Sequence, residues 1–382
     1  MTMNREYYKR LGDYIRLVDI RNRDLAVTNL LGVSISKTFI PSIANTIGTD
    51  MSTYKVVEPY QFAYGPVTSR NGDKITFALY KGAEKCIVSS AYVTFEVIDK
   101  EKLDPDYLMM WALRPEFDRY ARFMSNGSAR EMFSWDDMCE VYLPIPSIDE
   151  QRRIVAEYQA VEKRIATNEA LIAKLEETSS ELFLNKIAGY LSSDPIPADW
   201  QKSNLPGIAQ FLNGVACQKY EPEEGETSVP VIKIREIGIG DTDTNSDLAS
   251  LDVPKKHIIN KGDLLFSWSA SLIVTTWCGK KGVLNQHIFK VIPNNYPTWF
   301  CYHWIKYYLN EWNNFISAKA TSMGHLKLED LDNAAVVVPS KQSMQSFDSM
   351  MSPMFEYATE LKREVLLLNN MKDILLARLS KI

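Results

Sequence analysis

The sequence repeats itself. A shift of about 193 residues, half of its 382, lays the stretch SAREMFSWDDMCEVYLPIPS at residues 128–147 on TSMGHLKLEDLDNAAVVVPS at residues 321–340. Identities are few, but the pattern holds: Phe133 meets Leu326, Trp135 meets Leu328, Asp136 meets Glu329, Asp137 meets Asp330 and Met138 meets Leu331. Both apolar runs end in Pro-Ser, at Pro146-Ser147 and Pro339-Ser340. Each stretch predicts a short turn or helix, then a buried strand, then Pro as a stop before new structure. A chain of this kind folds as two like units, each followed by its own connector.

The connectors are helical. From Ile154 the seam positions step by four and three through Tyr158, Val161, Ile165, Asn168, Ile172, Leu175, Ser179 and Leu182. The second copy runs Phe347, Met351, Met354, Ala358, Leu361, Val365, Leu368, Lys372, Leu375 and Leu379 in the same phase. A 3.5-residue period kept for about four heptads predicts a long helix supercoiled against a partner helix, and the natural partner is the other copy. Asn168 in the seam costs stability and helps fix register. Pro353 is expected near the start of the second helix, where it is tolerated, or as a kink.

The segments before each helix are of another kind. Short β-branched or aromatic runs (KITFALY, AYVTFEVI, VPVIKI, DLLFSWS, QHIFKVI) alternate with Gly, Asn and Pro turns. Each segment also carries a helical stretch, PDYLMMWALRPEFDRYARFM from Pro105 and PTWFCYHWIKYYLNEWNNFI from Pro297. The repeat extends into them loosely, KVVEPYQFAY from Lys55 paralleling HIINKGDLLF from His257, and LGDYIRL from Leu11 paralleling LPGIAQF from Leu205. The expected fold class is α+β: a first domain at residues 1–150, a helix at 151–190, a second domain at 191–340 and a second helix at 341–382.

Composition removes several classes. At 46% apolar and 24% charged the chain has material for real cores. It has no apolar run of the 18 to 20 residues that a membrane span takes, and MTMNREYYKRLGDY has no apolar stretch behind its charges, so a cytoplasmic protein without a membrane partner is expected. Five cysteines, none in C-x-x-C spacing, argue for a reducing compartment and against zinc. No Walker loop occurs, and Asp194-Pro195-Ile196-Pro197 has the wrong third residue for the box of an amino methyltransferase. The four histidines form no paired spacing, and Glu360-Leu361-Lys362 reads as a solvated helix face around a seam Leu. Neither a catalytic nor a metal site is expected.

A net charge of −5 gives no overall basic footprint, so any case for nucleic acid rests on local features. Turns after the β runs hold polar and basic side chains suited to base edges and phosphates: Thr68, Ser69, Arg70, Asn71 and Lys74 in one copy, and Ser267, Trp268, Ser269, Asn285, Gln286 and His287 in the other. Ser128 and Arg130 with Thr321 and Ser322 stand at matching places in the repeat, and Lys233, Arg235, Lys280 and Lys281 add charge. Taken by itself, each cluster is better explained by ordinary loop polarity. Residues 221–252 carry nine acids against two bases, and that loop is expected to face away from phosphate. On the residues alone, a two-domain DNA-binding regulator, an orphan subunit and a coiled-coil protein scaffold all remain open.

The order of parts resembles the specificity subunit of type I restriction-modification systems, over essentially the whole chain. The residues that carry the likeness are YLPIPSIDEQRRIVAEY from Tyr142, LGDYIRL from Leu11, KGDLLFSWSAS from Lys261 and NQHIFKVIP from Asn285. The second helix start departs from the pattern, with Ser343-Met344 in place of Glu150-Gln151. The resemblance implies two target-recognition domains joined by an antiparallel coiled coil, related by a pseudo-twofold axis and reading the two parts of a bipartite site on double-stranded DNA. It implies a non-catalytic chain without a cofactor, which directs two modification subunits that methylate adenine with S-adenosylmethionine. Restriction subunits using ATP and Mg are the other implied partners.

Overall fold

The computed structural model describes residues 7–42, 48–69, 71–127, 130–192, 195–318 and 325–381, without the side chains of 310 and 315–318. Contacts divide the chain into two compact units, Met1–Lys163 with Asn370–Ile382, and Arg164–Asn369. Each unit therefore holds part of both long helices.

The duplication is structural. In the first unit a four-stranded antiparallel sheet runs in the order Ile15–Leu17, Val93–Val97, Phe62–Tyr64, Phe77–Leu79. The second unit has Ala209–Asn213, Ile288–Pro293, Leu264–Ser267 and Val274–Thr276 in the same order and sense. A smaller antiparallel pair accompanies each sheet, Lys55–Val57 with Cys86–Val88, and Ile258–Ile259 with Gly282–Leu284, the latter extended in the second unit by Ser228–Ile232, parallel to Gly282–Leu284, and Leu248–Ser250. Aromatic packing fills the first core, where the Phe62 and Phe95 rings stack at 4.8 Å. Trp299, Phe300 and Trp304 lie buried in the core of the second.

Each unit closes on its own terminal strands. Tyr8–Arg10 pairs antiparallel with Tyr142–Pro144, and Gln201–Asn204 pairs in the same way with Ala335–Val338. Leu11 and Leu205 then turn inward, both fully buried. The Leu11 N–H donates to the Val141 carbonyl at 2.8 Å, and that of Leu205 to the Ala334 carbonyl at 3.1 Å. Entrance and exit of each domain thus lie side by side, the arrangement that lets a domain be exchanged as a module.

The short helices Trp135–Cys139 and Leu328–Asp332 precede the closing strands, as the repeat predicts. The long helical stretch of the first copy is broken, however, into Pro105–Leu113 and Pro115–Met124, whereas the second is one helix, Thr298–Ala318. Pro115 is the reason. It forces Arg114 into extended backbone (φ −69°, ψ 139°) and then starts the next helix, where its missing N–H costs nothing.

The long helices span Ile148–Lys186 and Lys341–Arg378. Ser147 and Ser340 cap them, their hydroxyls accepting from the N–H of Glu150 at 3.4 Å and of Ser343 at 3.3 Å. They pair antiparallel. Within the second unit Arg164 meets Glu364 at 2.8 Å and Glu176 meets Lys362 at 2.6 Å, and within the first Glu162 meets Lys372 at 3.1 Å, so numbers rise on one helix as they fall on the other. Among the expected seam residues Tyr158, Val161, Ile165, Leu361 and Leu375 are buried. Ile154, Ile172, Leu175, Leu182, Met354, Val365 and Leu368 are half-buried. Asn168 is buried in the same row. The placing of Pro353 near a helix start is corrected: it lies inside Lys341–Arg378, on the exposed face, and the helix continues through it.

Gln151 explains why the two helix starts differ. It is fully buried, its amide donating to the carbonyls of Lys102 (3.0 Å) and Pro146 (2.9 Å) and accepting from the Asp104 N–H at 2.9 Å. This knots the helix start to the loop before Pro105–Leu113. In the second copy Met344 has no such reach, and Asp348 one turn on accepts from the Trp299 indole at 2.7 Å and the Ser352 hydroxyl at 2.6 Å. Gln151→Ala takes the side-chain partner from three backbone groups, one buried and two partly so, and is expected to cost about 2–4 kcal/mol of stability. Urea denaturation of the full chain checks this: an unchanged midpoint would show the knot to be incidental.

Candidate nucleic-acid interface

The register of the second sheet brings three strand ends level. Asn213 stands opposite Phe289, and Ser267 opposite Ile288. Beyond that edge the chain makes a tip from Trp268–Ala270, Asn285–His287 and His325, which bridges to Ser269. Trp268 ties it together. Its N–H donates to the His287 carbonyl at 3.2 Å, its carbonyl accepts from the Leu326 N–H at 2.9 Å, and its indole N–H donates to Asn213 Oδ1 at 3.1 Å. The indole lies 5.6 Å from the His287 ring and 5.9 Å from that of His325. Gly214 permits the close approach: a Cβ there would fall 2.1 Å from the Asn285 carbonyl oxygen.

Not every residue of the tip can read a base. Ser267 is fully buried and holds its own turn, its hydroxyl accepting from the Ile273 N–H at 2.8 Å. Asn285, 5% exposed, has its Oδ1 on the His287 N–H at 3.2 Å, and its carbonyl takes the Ile288 N–H at 3.1 Å, closing a tight turn. Ser269 is also buried. Gln286, His287 and Trp268 remain partly exposed, with Gln286 Nε2 3.4 Å from His287 Nε2. Gln286, His287 and Trp268 thus keep surface open to a ligand, while Asn285 and Ser267 hold the turns.

The first unit builds its tip at the corresponding sheet edge. Thr68 is 1% exposed; its N–H donates to the Glu131 carbonyl at 3.0 Å and its hydroxyl to Ser125 at 2.9 Å, so it anchors the loop. The Asn71 side chain donates to the Val67 carbonyl at 3.3 Å. Val67 and Asn126 both bridge to Met132. Ser69, Lys74, Asn126, Arg130 and Met132 are exposed here. Arg70, Ser128, Thr321 and Ser322 lie outside the described residues.

The expected basic residues divide in two. Lys233 pairs with Asp247, and Arg235 holds Asp243 through two bonds of 2.7 and 2.9 Å and Glu236 at 2.8 Å, so both charges are already met. Hydrogen bonding from Arg235 pulls the Asp243 carboxyl down to about 2. The acids of residues 221–252 thus serve, in part, to neutralise the two bases among them. Lys280 and Lys281 lie before the strand Gly282–Leu284 and Asn285–His287 after it, so these lysines stand at the far end from the tip. Asn213, His325, Asn126 and Met132 joined the tips unforeseen. Only the small residue Gly214, just after Asn213, hinted at a close approach. Among the described residues no group of His, Cys, Asp and Glu is placed to hold a metal, and no helix is long and apolar enough to cross a membrane.

Two like α+β domains, each closed on its terminal strands and presenting a polar tip at the same sheet edge, on two paired helices, define a duplicated recognition scaffold. The chain belongs to the type I restriction modification DNA specificity domain family, whose model matches it twice, at residues 17–177 and 197–366. It is 23% identical over 310 residues to the type I restriction enzyme MjaIX specificity subunit of Methanocaldococcus jannaschii, covering 74% of this chain and 70% of that one. It is 28% identical over 164 residues to the EcoBI specificity subunit of Escherichia coli, covering 42% of this chain and 33% of that one. In fold it is similar to the type I restriction-modification S subunit from M. genitalium, at a TM-score of 0.57 and 14% identity over 99% of this chain and 98% of that one.

Proposed function

We propose that this chain selects the DNA target of a type I restriction-modification enzyme, each unit reading one part of a bipartite duplex site through its tip. The observation that supports this best is the repetition of sheet order, closing strands and tip loops in both units. The chain itself supplies recognition. Adenine methylation with S-adenosylmethionine belongs to two modification subunits docked on it, and ATP- and Mg-dependent translocation and cleavage belong to restriction subunits, all in the cytoplasm. On the second long helix Leu367, Met371 and Ile374 are 68%, 47% and 54% exposed at spacings of four and three, an apolar helical stripe of the kind a partner helix covers. With joint clamping by partners, a net charge of −5 is no obstacle, because this chain need not neutralise most of the phosphates.

The purified chain with S-adenosylmethionine is expected to transfer no methyl group to DNA, and to do so once modification subunits are added. Methylation by the chain alone would overturn this division of labour. Within the second tip, Gln286→Ala is expected to cost roughly 1–3 kcal/mol of binding and to relax one base position. Asn285→Ala should instead lower the unfolding midpoint and leave the methylated motif of the remaining folded protein intact. A relaxed motif from Asn285→Ala with Gln286→Ala silent would reverse the two roles.

A further inference from the structure

The pair of strands Ile258–Ile259 and Gly282–Leu284 runs antiparallel, Ile258 opposite Val283 and Ile259 opposite Gly282. Lys261 lies in the turn just past Ile259, and Lys280 and Lys281 just before Gly282, so all three stand at the same end of this pair. That turn depends on Gly262, whose φ of +94° suits glycine and whose N–H donates to the Trp277 carbonyl at 2.9 Å. The Trp277 indole in turn donates to the Lys280 carbonyl at 2.8 Å, fixing the opposite side. All three lysines are exposed, and among the described residues none of them has an ion-pair partner, while nearby acids have other partners. Asp263 pairs with Lys290 at 2.7 Å, Glu360 pairs with Arg363, and Asp241 Oδ1 accepts the backbone N–H groups of Lys280 at 3.0 Å and Thr242 at 2.8 Å. Like charges gathered at one end of a strand pair repel, so an anion beside them is favourable.

Resting on the reading of the tip given above, we propose that Lys261, Lys280 and Lys281 form a phosphate-contact row for the second recognition domain, separate from the residues that read bases. The distance fits. From Lys281 to Asn285 is four steps of extended chain, about 13 Å, against a major groove about 12 Å wide. A tip seated in the groove leaves these ammonium groups at a distance on the scale of that to the backbone that borders it. Such contacts add affinity and fix register but carry no sequence information. They also supply cations to a domain whose Lys233 and Arg235 are occupied by its own acids.

The test is salt dependence, measured on the full-length chain alone and assembled with modification subunits, on a duplex bearing its target and on a scrambled duplex. Replacing all three lysines (Lys261→Gln, Lys280→Gln, Lys281→Gln) is expected to reduce the slope of log K against log salt by about 2.7 on both duplexes, at about 0.9 per phosphate contact. Between 50 and 200 mM salt that is about a 40-fold smaller loss of affinity than the unaltered protein shows. Each single replacement should remove about 0.9, which guards against a triple variant that folds poorly. The methylated motif should stay the same, whereas Gln286→Ala should alter the motif and leave the slope. An unchanged slope in the triple variant overturns the phosphate row. Failure of the unaltered protein to prefer its target in either form overturns the reading of the tips instead.

Discussion

Deleting one heptad from each long helix, residues 164–170 together with 364–370, is expected to abolish methylation at the native target and to restore it at a target with a shorter spacer. The two segments face each other in the antiparallel pairing, and Arg164 leaves with its partner Glu364. The seam resumes its four-three spacing at Ile172 and Lys372, so the helices still pair. Seven residues are about 10 Å of helix at 1.5 Å each, close to three base pairs at about 3.4 Å. At about 10 base pairs per turn, three also rotate the groove by roughly a third of a turn, while a heptad deletion hardly rotates a coiled coil. If the paired helices set the distance between the half-sites, the deletion variant loses the original site and gains one about three base pairs shorter. A folded variant that still methylates the original spacing at full rate would remove the ruler.

The second large effect is a change of half the target. Exchanging residues 8–144 for the matching segment of a related subunit should replace one half-site and leave the other untouched. The boundaries follow from the structure, because Tyr8–Arg10 and Tyr142–Pro144 pair with each other and the cut ends lie side by side. Gln151 and residues 370–382 stay native, so the incoming segment has to supply their partners, as Tyr8 does here by donating from its hydroxyl to the Ser380 carbonyl at 3.3 Å. Methylome sequencing reads the result. Loss of both half-sites in a folded chimera would contradict independent reading by the two units.

The duplication and the helical seam were legible in the sequence because they depend on spacing, and spacing survives without knowledge of partners. Even the loose parallel of Lys55 with His257 proved to be a matched pair of strands, Lys55–Val57 and Ile258–Ile259. The assignment of single residues at the tips was not legible. Thr68 is hidden by Glu131 and Ser125, 63 and 57 residues away, and Arg235 is occupied by Asp243 across a loop. Polar residues in turns read alike until it is known which of them hold the turn, as Asn285 does, and which point out of it, as Gln286 does. Pro115 was visible, but its effect went unread because the apolar pattern carried on past it. Of the two places left open for Pro353, the helix start is excluded because the second helix begins earlier than its apolar seam.

The central claim is that this chain chooses where DNA is methylated, through a split target. The most direct measurement is the genome-wide map of methylated adenine in cells that carry this gene with the modification subunit, compared with cells lacking only this gene. The account predicts methylation at one motif of two short specified parts separated by a fixed unspecified spacer, present in the first cells and absent from the second. The same methylation pattern in both, or a single uninterrupted motif, would contradict it.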